Sequence, residues 1–285
     1  MERNRETFHT TGTEALSDAE LSGQLGHYQK QARVWLRVGL IGIAGGLISF
    51  FTVHHAALKV ILVTVLFFGG ICCVLFLKVG AEKKIKRLMQ EQMGTFFQAE
   101  LEKAFGPDLH TPEMYIDQLL MKEFCLPDGQ WEECETENFH EGDYHGIHFS
   151  AANVRLNHVY EGGNIHDGKE TLRDVVFRGL VLRCRTGNTA PSPIGADTRT
   201  ENNPQFMEMV HALEQSMEGR VLRYHRKGDI FSLAIETNYE FAAVAGDVDL
   251  SNLDAVRGSY IASLQEMGTA LDLLLKNTAL FAGVE

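Results

Sequence analysis

The apolar stretch over residues 38–79 constrains this chain more than any other feature of its sequence. Between its two apolar halves, the only strongly polar residues are His54, His55 and Lys59. A single helix over the whole stretch would be ~60 Å long at ~1.5 Å per residue, whereas a bilayer core is ~30 Å thick. The stretch therefore predicts a hairpin of two transmembrane helices, residues 38–53 and 60–77, with a short turn within HHAALK.

Basic residues flank both ends of this hairpin. They are Lys30, Arg33 and Arg37 before it, and Lys78, Lys83, Lys84, Lys86 and Arg87 after it. Since cytoplasmic flanks of membrane helices carry the excess of Lys and Arg, both chain ends are predicted in the cytoplasm and the turn outside. Trp35 and Leu36 extend the first span, so some 34 residues precede it, and no A-x-A-like site follows it. The first span is therefore predicted as an anchor and not as a cleaved signal peptide.

The N-terminal and C-terminal parts of the chain differ in the sign of their net charge. Residues 1–87 hold 11 Lys/Arg and 6 Asp/Glu, a net +5, whereas residues 88–285 hold 15 and 32, a net −17. An acidic soluble part argues against a nucleic-acid partner, because binding phosphates requires a basic surface. The five cysteines show no C-x-x-C spacing, which argues against a zinc ribbon or a disulfide framework and fits a reducing compartment.

Small residues recur at a spacing of four in the first span. Gly42 and Gly46 form a G-x-x-x-G pair, and Gly45 and Ser49 repeat the spacing. Such residues let helices approach closely in lipid, so they predict either packing between the two spans or a homodimer face. The two histidines of the turn are interpreted as ordinary polar turn residues, with external pH sensing or metal binding as the alternative.

The pattern outside the spans predicts four segments. They are a cytosolic N-terminal helix (1–34, starting at Ser17-Asp18), the transmembrane hairpin (35–79), an amphipathic stalk helix (80–108) and a cytosolic α+β domain (109–285). The apolar stripe of the stalk helix either pairs with the N-terminal helix or docks on the downstream domain.

The last segment alternates helical and strand-like patterns. Helices are predicted at 111–124 (capped by Thr111, with Pro112 first), 204–217 and 258–277, and strands at 143–161, 172–187, 219–226 and 229–237. The last two strands are predicted to form a hairpin around Lys227-Gly228. These elements predict an α+β fold, with a mostly antiparallel sheet packed against helices.

Three strand sequences carry a resemblance to a known family. FHEGDYHGIHFSAANVRL, VVFRGLVLRC and GDIFSLAI follow the two spans and the basic exit helix in that order. In this arrangement the chain, over roughly residues 85–245, resembles the bacterial membrane proteins of the domain-of-unknown-function family 3137. Its region between the FRG strand and the helix at 204–217 is shortened. The resemblance implies a membrane-anchored cytosolic domain and no particular activity.

The segment GNIHDGKE, residues 163–170, matches the G-x-x-x-x-G-K part of a phosphate-binding loop. That loop requires Ser or Thr where this chain has Glu170, and it must open a helix. The sequence that follows is strand-like. A loop connecting two strands is therefore the favoured interpretation, and nucleotide binding is the alternative.

Titratable residues cluster before and within the first strands. The histidines and cysteines are His140, His145, His148, His158, His166, Cys125 and Cys134. A shared metal site would need several of them to converge, but His145 and His148 diverge on a regular strand. Scattered surface histidines are therefore favoured. The run EECETENFHEGD, residues 132–143, lacks the EF-hand pattern and is predicted to be a solvated acidic loop.

Arg220, Arg223, Arg226 and Lys227 form a small basic cluster. It suits anionic lipid headgroups only if the cations share a face. On a regular strand Arg220 and Arg226 share a face and Arg223 does not, so the cluster is predicted to be split.

No G-x-S-x-G or H-E-x-x-H motif occurs, so the sequence names no catalytic, cofactor-binding or metal-ligating residue. The favoured function is a non-enzymatic protein of the bacterial cytoplasmic membrane, with two spans. Its cytosolic domain would bind another protein or support assembly of a membrane complex. Predicted partners are the lipid bilayer and either another protein or a second copy through the spans. The alternative is a membrane-associated, metal-dependent enzyme or small-ligand-binding protein that uses the histidine-rich sheet edge.

Overall fold

The chain divides into two compact units. A computed structural model describes residues 16–52, 55–109, 131–162, 170–185, 204–227 and 229–276. The first unit comprises Met1–Phe96 with Asp249–Val256, and the second comprises Phe97–Val248 with Arg257–Glu285.

Two long helices make up most of the first unit. Helix α1 is Asp18–Thr52, and helix α2 is Ala56–Phe105, of which residues 97–105 belong to the second unit. Both helices are long and apolar enough to cross a membrane. Two π-helical turns, Thr64–Phe68 and Cys73–Lys78, lie within α2. Because α2 begins at Ala56, the last four residues of the predicted HHAALK turn, residues 56–59, are helical.

A capping box starts α1 where the sequence predicts a helix start. The Ser17 hydroxyl and the Glu20 carboxylate are 2.6 Å apart, and each side chain accepts a hydrogen bond from the other residue's backbone N–H. This reciprocal arrangement satisfies two N–H groups that a helix leaves open at its start. Leu21, Leu25 and Ala32, which recur at helical spacing, are buried.

Large apolar side chains of the hairpin point outward. Ile41, Phe51 and Phe76 are 72%, 79% and 71% exposed, respectively. Exposed apolar surface on this scale is unfavourable in water and suits a hydrocarbon environment. The low burial of these apolar side chains distinguishes the hairpin from the core helices of a water-soluble protein, which are mostly buried.

Glycines hold the two helices together. A Cβ atom added at Gly46 would lie 2.8 Å from Cβ of Phe67, one at Gly42 would lie 3.1 Å from Cα of Gly70, and one at Gly39 would lie 2.4 Å from a methyl of Val74. Gly42 and Gly46 therefore pack the two spans against each other, which is the first of the two predicted alternatives.

The same pairing continues beyond the apolar part. The Lys84 ammonium lies 5.4 Å from the centre of the Tyr28 ring, and the Leu16 N–H donates to Oε1 of Gln92 at 3.0 Å. The segment 249–256 also contacts α1, with Leu250 N–H donating to Oε1 of Gln29 at 3.2 Å. The predicted pairing of the stalk helix with the N-terminal helix is confirmed.

A five-stranded antiparallel sheet forms the second unit, which confirms the α+β class. Its strands are β1 (Glu133–Tyr144), β2 (Ile147–Gly162), β3 (Glu170–Arg185), β4 (Arg220–Lys227) and β5 (Ile230–Glu236). Their order across the sheet is β1-β2-β3-β5-β4. β1 and β4 therefore form the two edges.

Helices cover one face of this sheet. Helix α3 is Pro204–Ser216, and helix α4 is Leu253–Leu275. Together with residues 97–105 of α2, they bury Phe149, Leu182 and Leu233 and their same-face neighbours in one core. Phe105 contacts Phe149 with ring centres 5.6 Å apart. Residues 97–105 of α2 thus pack within the second unit, so both predicted alternatives for this helix hold along different parts of it.

The opposite face carries a smaller apolar cluster. Its buried members are Trp131, Ala152, Val154, Leu156, Phe177, Val181 and Ala234. Because β2, β3 and β5 contribute to both clusters, each has buried apolar residues at consecutive positions, at Ala151-Ala152, Leu180-Val181 and Leu233-Ala234.

Two predictions about the start of the sheet are wrong. The run 132–143 is not a loop, since residues 133–144 form the edge strand β1. Residues 143–161 are not one strand, because His145 (φ 49°) and Gly146 (φ 81°) form a two-residue turn between paired Tyr144 and Ile147. Positive φ at both central residues is typical of a type I′ hairpin turn. Charged residues suit an edge strand because they discourage pairing with other chains.

The remaining elements agree with the sequence. β3, α3, β4, β5 and α4 lie at the predicted positions, and β4 pairs with β5 in an antiparallel hairpin. Helix α4 begins five residues before the predicted start at 258, since Oδ1 of Asn252 caps the N–H groups of Asp254 and Ala255. The predicted helix at 111–124 lies outside the described residues.

Candidate functional site

A cleft of about 680 Å³ opens beside the segment that follows β5. Its walls are residues 237–247, the exposed side of α4 and the end of α3 with Glu218. Its lining residues are Arg178, Ser216, Met217, Glu218, Thr237, Asn238, Tyr239, Glu240, Ala243, Val244, Ala245, Gly246, Asp247, Ser259, Ala262, Ser263 and Glu266. All of them belong to the second unit.

The lining of this cleft carries more negative than positive charge. Glu218, Glu240, Asp247 and Glu266 are exposed, and Arg178 is the one cationic side chain among the lining residues. Nη2 of Arg178 lies 2.6 Å from Oε1 of Glu240, so its charge is already matched. Partial burial, followed by the charge of Glu218, raises the pKa of Glu266. The cleft therefore has a negative potential that favours a cationic ligand.

Hydrogen bonds fix the near wall of the cleft. The Thr237 hydroxyl donates to the Met217 carbonyl at 2.6 Å and accepts from the Tyr239 N–H at 3.0 Å. The Tyr239 hydroxyl donates to the Ser263 carbonyl of α4. Burial raises the pKa of Tyr239, so this phenol keeps its proton and its donor role at neutral pH.

Two asparagines of the sheet hold the backbone of residue 241. The Asn153 amide accepts from the Phe241 N–H at 2.8 Å and donates to the Phe241 carbonyl at 2.9 Å, in the manner of a paired strand. Asn138, in the β1 bulge, donates to the same carbonyl at 3.1 Å. Ala242 follows with φ 51°, which a non-glycine residue adopts only when its surroundings enforce it. The cleft wall is thus anchored to the sheet.

We expect Asn153→Ala to destabilise the second unit by about 2 kcal/mol, because it leaves the N–H of the buried residue Phe241 without its acceptor and removes one donor to its carbonyl. Chemical denaturation of the full chain, with Asn238→Ala as the exposed control in the same cleft, measures the difference. Equal stability of the two variants would contradict the anchoring role of Asn153.

The sequence-predicted histidines do not share one site within the described residues. His148 lies between Glu141, at 2.7 Å, and Asp143, at 3.2 Å, whereas His158 contacts Glu132 at 3.0 Å near the other end of β2. His145 lies in the hairpin turn, so the regular-strand argument for it is wrong. In the described part of the chain no three His, Cys, Asp or Glu side chains form a group that could hold a metal ion. Cys125 and His166 lie outside that part.

Burial governs the chemistry of His140 and of the sheet cysteines. The His140 ring lies 5.5 Å from the Phe241 ring, and burial lowers the pKa of His140 to about 4. Burial raises the pKa of the Cys184 thiol to about 12 and also raises that of Cys134. Both thiols are therefore protonated at neutral pH and are poor nucleophiles.

We expect His140 to make stability depend on pH. The unfolded chain binds a proton at His140 near pH 6.5, whereas the folded protein binds it only near pH 4. Stability is therefore unaffected above pH 6.5 and falls by roughly 2 kcal/mol as the pH decreases toward 4.5. Denaturation of wild type and His140→Phe at several pH values measures this effect. An identical pH dependence in both proteins would contradict it.

The nucleotide-binding interpretation of residues 163–170 lacks the helix that it requires after the loop. Gly162 pairs directly with Glu170, so the intervening residues, which lie outside the described part, connect two adjacent antiparallel strands. The segment after them is β3 and not the helix that a phosphate loop must open. The pairing of the flanking residues agrees with the favoured interpretation as a connection between two strands.

The basic cluster on β4 is divided differently from the prediction. A bulge lies between Val221 and Arg223, so Arg220 pairs with Glu236 and Arg223 pairs with Ala234. Partners two residues apart on β5 place Arg220 and Arg223 on the same face. The predicted separation of Arg223 from Arg220 is therefore wrong, and Arg220 is matched by Glu236 at 2.8 Å.

The cleft itself was not predicted from the sequence. Its charged residues come from β3, the end of α3, the segment after β5, and α4, and no spacing in the sequence links them. The one local signal is the irregular stretch 237–247 between a strand and a helix. No protein-family model, curated protein or solved structure matches this chain.

Proposed function

We propose that this chain is a membrane-anchored interaction protein whose α+β unit binds a basic segment of a partner protein. In this proposal the hairpin crosses a bacterial cytoplasmic membrane twice, and both chain ends lie in the cytosol. The acidic cleft receives the partner, and the protein has a role in assembly or recruitment at the membrane.

The acidic lining of the cleft carries this proposal. Glu218, Asp247 and Glu266 have no cationic partner among the lining residues, while Arg178 is matched by Glu240. Burial, and after it the charge of Glu218, raises the pKa of Glu266, and a Lys- or Arg-bearing segment would relieve the repulsion between these two carboxylates. Complementary charge also speeds encounter between partners.

The membrane placement is supported by the hairpin. The outward side chains of its apolar spans are apolar. Cations flank the end of the hairpin opposite the turn, where α1 and α2 continue beyond the apolar spans. The excess of Lys and Arg at those ends favours a cytosolic position for the second unit. The resemblance to the domain-of-unknown-function family 3137 agrees with this placement.

Site-specific crosslinking in cells tests the proposal. A photoreactive amino acid at Asn238, which lines the cleft, should form a discrete adduct with another protein. The control places the same group at Glu208, which is exposed on α3 and does not line the cleft. Mass spectrometry identifies the adduct, whose contact segment should be rich in Lys and Arg.

A charge-reversal variant tests whether the acidic residues of the cleft are required for this adduct. The double variant Glu218→Lys/Glu266→Lys should lose the Asn238 adduct while keeping the unfolding midpoint of the parent, because both carboxylates are exposed. Adducts of equal yield at Glu208, or adducts that survive the charge reversal, would contradict binding in the acidic cleft.

A further inference from the structure

The contacts between α1 and α2 fix which of their residues lie at the same level. Gly39 faces Val74, and further along the hairpin Tyr28 meets Lys84. Residues 30–37 of α1 therefore lie level with the part of α2 between Val74 and Lys84. This band is ~10 Å tall at ~1.5 Å per residue.

Five cations fall within this band, which we call the basic collar. They are Lys30, Arg33, Arg37, Lys78 and Lys83. The three on α1 are spaced by three and four residues, so they share one face of that helix. The collar begins where the apolar spans end, and its height is close to the ~5–8 Å that a headgroup layer adds on each side of the bilayer core.

Carboxylates offset the collar only in part. Glu82 lies 3.0 Å from Lys78, and Asp249 interacts electrostatically with Arg33 and Lys30. Five cations against these two carboxylates leave a net charge of +3. Within the described part of the chain, no ion pair is formed by Lys30, Arg33, Arg37 or Lys83.

We propose that the basic collar is a binding site for anionic phospholipid, such as phosphatidylglycerol, on the cytosolic leaflet. The inference rests on the proposed membrane insertion. Exposed apolar side chains interleave with the cations, since Val34, Val38 and Val79 are 52%, 44% and 37% exposed. A ligand with an anionic head and an apolar tail matches both features, whereas an acidic protein segment matches only the first.

Arginine contributes geometry as well as charge to this site. Arg33 and Arg37 are one helical turn apart, and a guanidinium can donate two parallel hydrogen bonds to a phosphate. Trp35 lies between them in the sequence and is half-buried, with an amphipathic ring suited to the headgroup level. Trp35 therefore provides a reporter inside the collar.

Quenching of Trp35 by brominated lipids tests the inference. The full chain is reconstituted in phosphatidylcholine vesicles that contain an equal small fraction of brominated phosphatidylglycerol or brominated phosphatidylcholine. Trp131 is the only other tryptophan, and Trp35→Phe measures its background. We expect the anionic lipid to be enriched about fivefold at Trp35, the effect of one well-placed cation.

The variant Arg33→Gln/Arg37→Gln/Lys83→Gln should reduce this enrichment toward one. The control Lys59→Gln removes a cation near the turn, at the other end of the hairpin, and should keep it. Equal quenching by both brominated lipids in wild type, or enrichment that survives the triple substitution, would overturn the lipid site and leave insertion standing. Quenching by neither lipid would overturn the insertion on which the inference rests, and the inference with it.

Discussion

Replacing Gly179 by valine should unfold the α+β unit. A Cβ atom at this position would lie 1.9 Å from the Ile235 carbonyl oxygen and 3.0 Å from Cα of Glu236, both backbone atoms of the neighbouring strand β5. Since β3 and β5 are inner strands, neither can move without breaking pairs on its other side. We expect a loss of more than about 4 kcal/mol, the range of severe core substitutions.

Guanidinium denaturation of the full chain in mild detergent, followed by Trp131 fluorescence, measures this loss. Trp131 is a suitable probe because it is 8% exposed in the cluster on the second face of the sheet. Gly246→Val is the matched control, since a Cβ at Gly246 meets no atom within 4 Å. Similar midpoints for the two variants would contradict the close approach of β3 and β5 at Gly179.

Replacing Gly70 by leucine should separate the two helices of the hairpin. A Cβ atom at Gly70 would lie 2.6 Å from the Gly39 carbonyl oxygen and 2.8 Å from the Ile43 nitrogen, both backbone atoms of α1. Helices in lipid associate through such close contact, because apolar burial gives them no advantage over lipid tails. We expect a loss of about 3 kcal/mol or more of pairing free energy.

The adjacent glycine supplies the control for this prediction. A Cβ at Gly69 meets no atom within 4 Å, so Gly69→Leu should keep the pairing. Titration of SDS into the protein in mild detergent, followed by Trp35 emission, compares the two variants. The midpoint should fall for Gly70→Leu only. Equal midpoints would indicate that Gly70 is not at the helix contact.

Local patterns predicted the helices well. The capping box at Ser17, the apolar hairpin, and the stripes of α2 and α4 each lie within a few consecutive turns, where spacing alone determines which side chains share a face. The two π-helical turns of α2 have no comparable signal, because their i-to-i+5 hydrogen bonds leave no mark in the residue types.

Composition misled the prediction for residues 132–143. A dense acidic run is typical of a solvated loop, but pairing with β2 fixes it as an edge strand in which Glu135, Glu137 and Asp143 are exposed. The turn at His145-Gly146 was missed although Gly146 favours positive φ, because histidine is an uncommon first residue for that turn. The bulge after Val221 likewise overturned the parity argument that separated Arg223 from Arg220.

The candidate site could not be predicted from the sequence for a different reason. Asn153 and Phe241 are far apart in the chain, and their hydrogen bonds exist only once β2 has joined the sheet. The same is true of Glu218 and Glu266, whose mutual repulsion depends on how α3 and α4 pack. Residue types at these positions are ordinary, so only the folded unit brings them together.

Membrane topology is the most direct test of the whole proposal. Cysteines introduced at Lys59 and Glu208 are exposed to a membrane-impermeant maleimide in spheroplasts, with the unsubstituted chain as the background. Lys59→Cys should be labelled from outside, and Glu208→Cys should be labelled only after the membrane is permeabilised. Labelling of Glu208→Cys from outside, or a purified chain that stays monodisperse without detergent, would contradict a hairpin that crosses the membrane twice with its α+β unit in the cytosol.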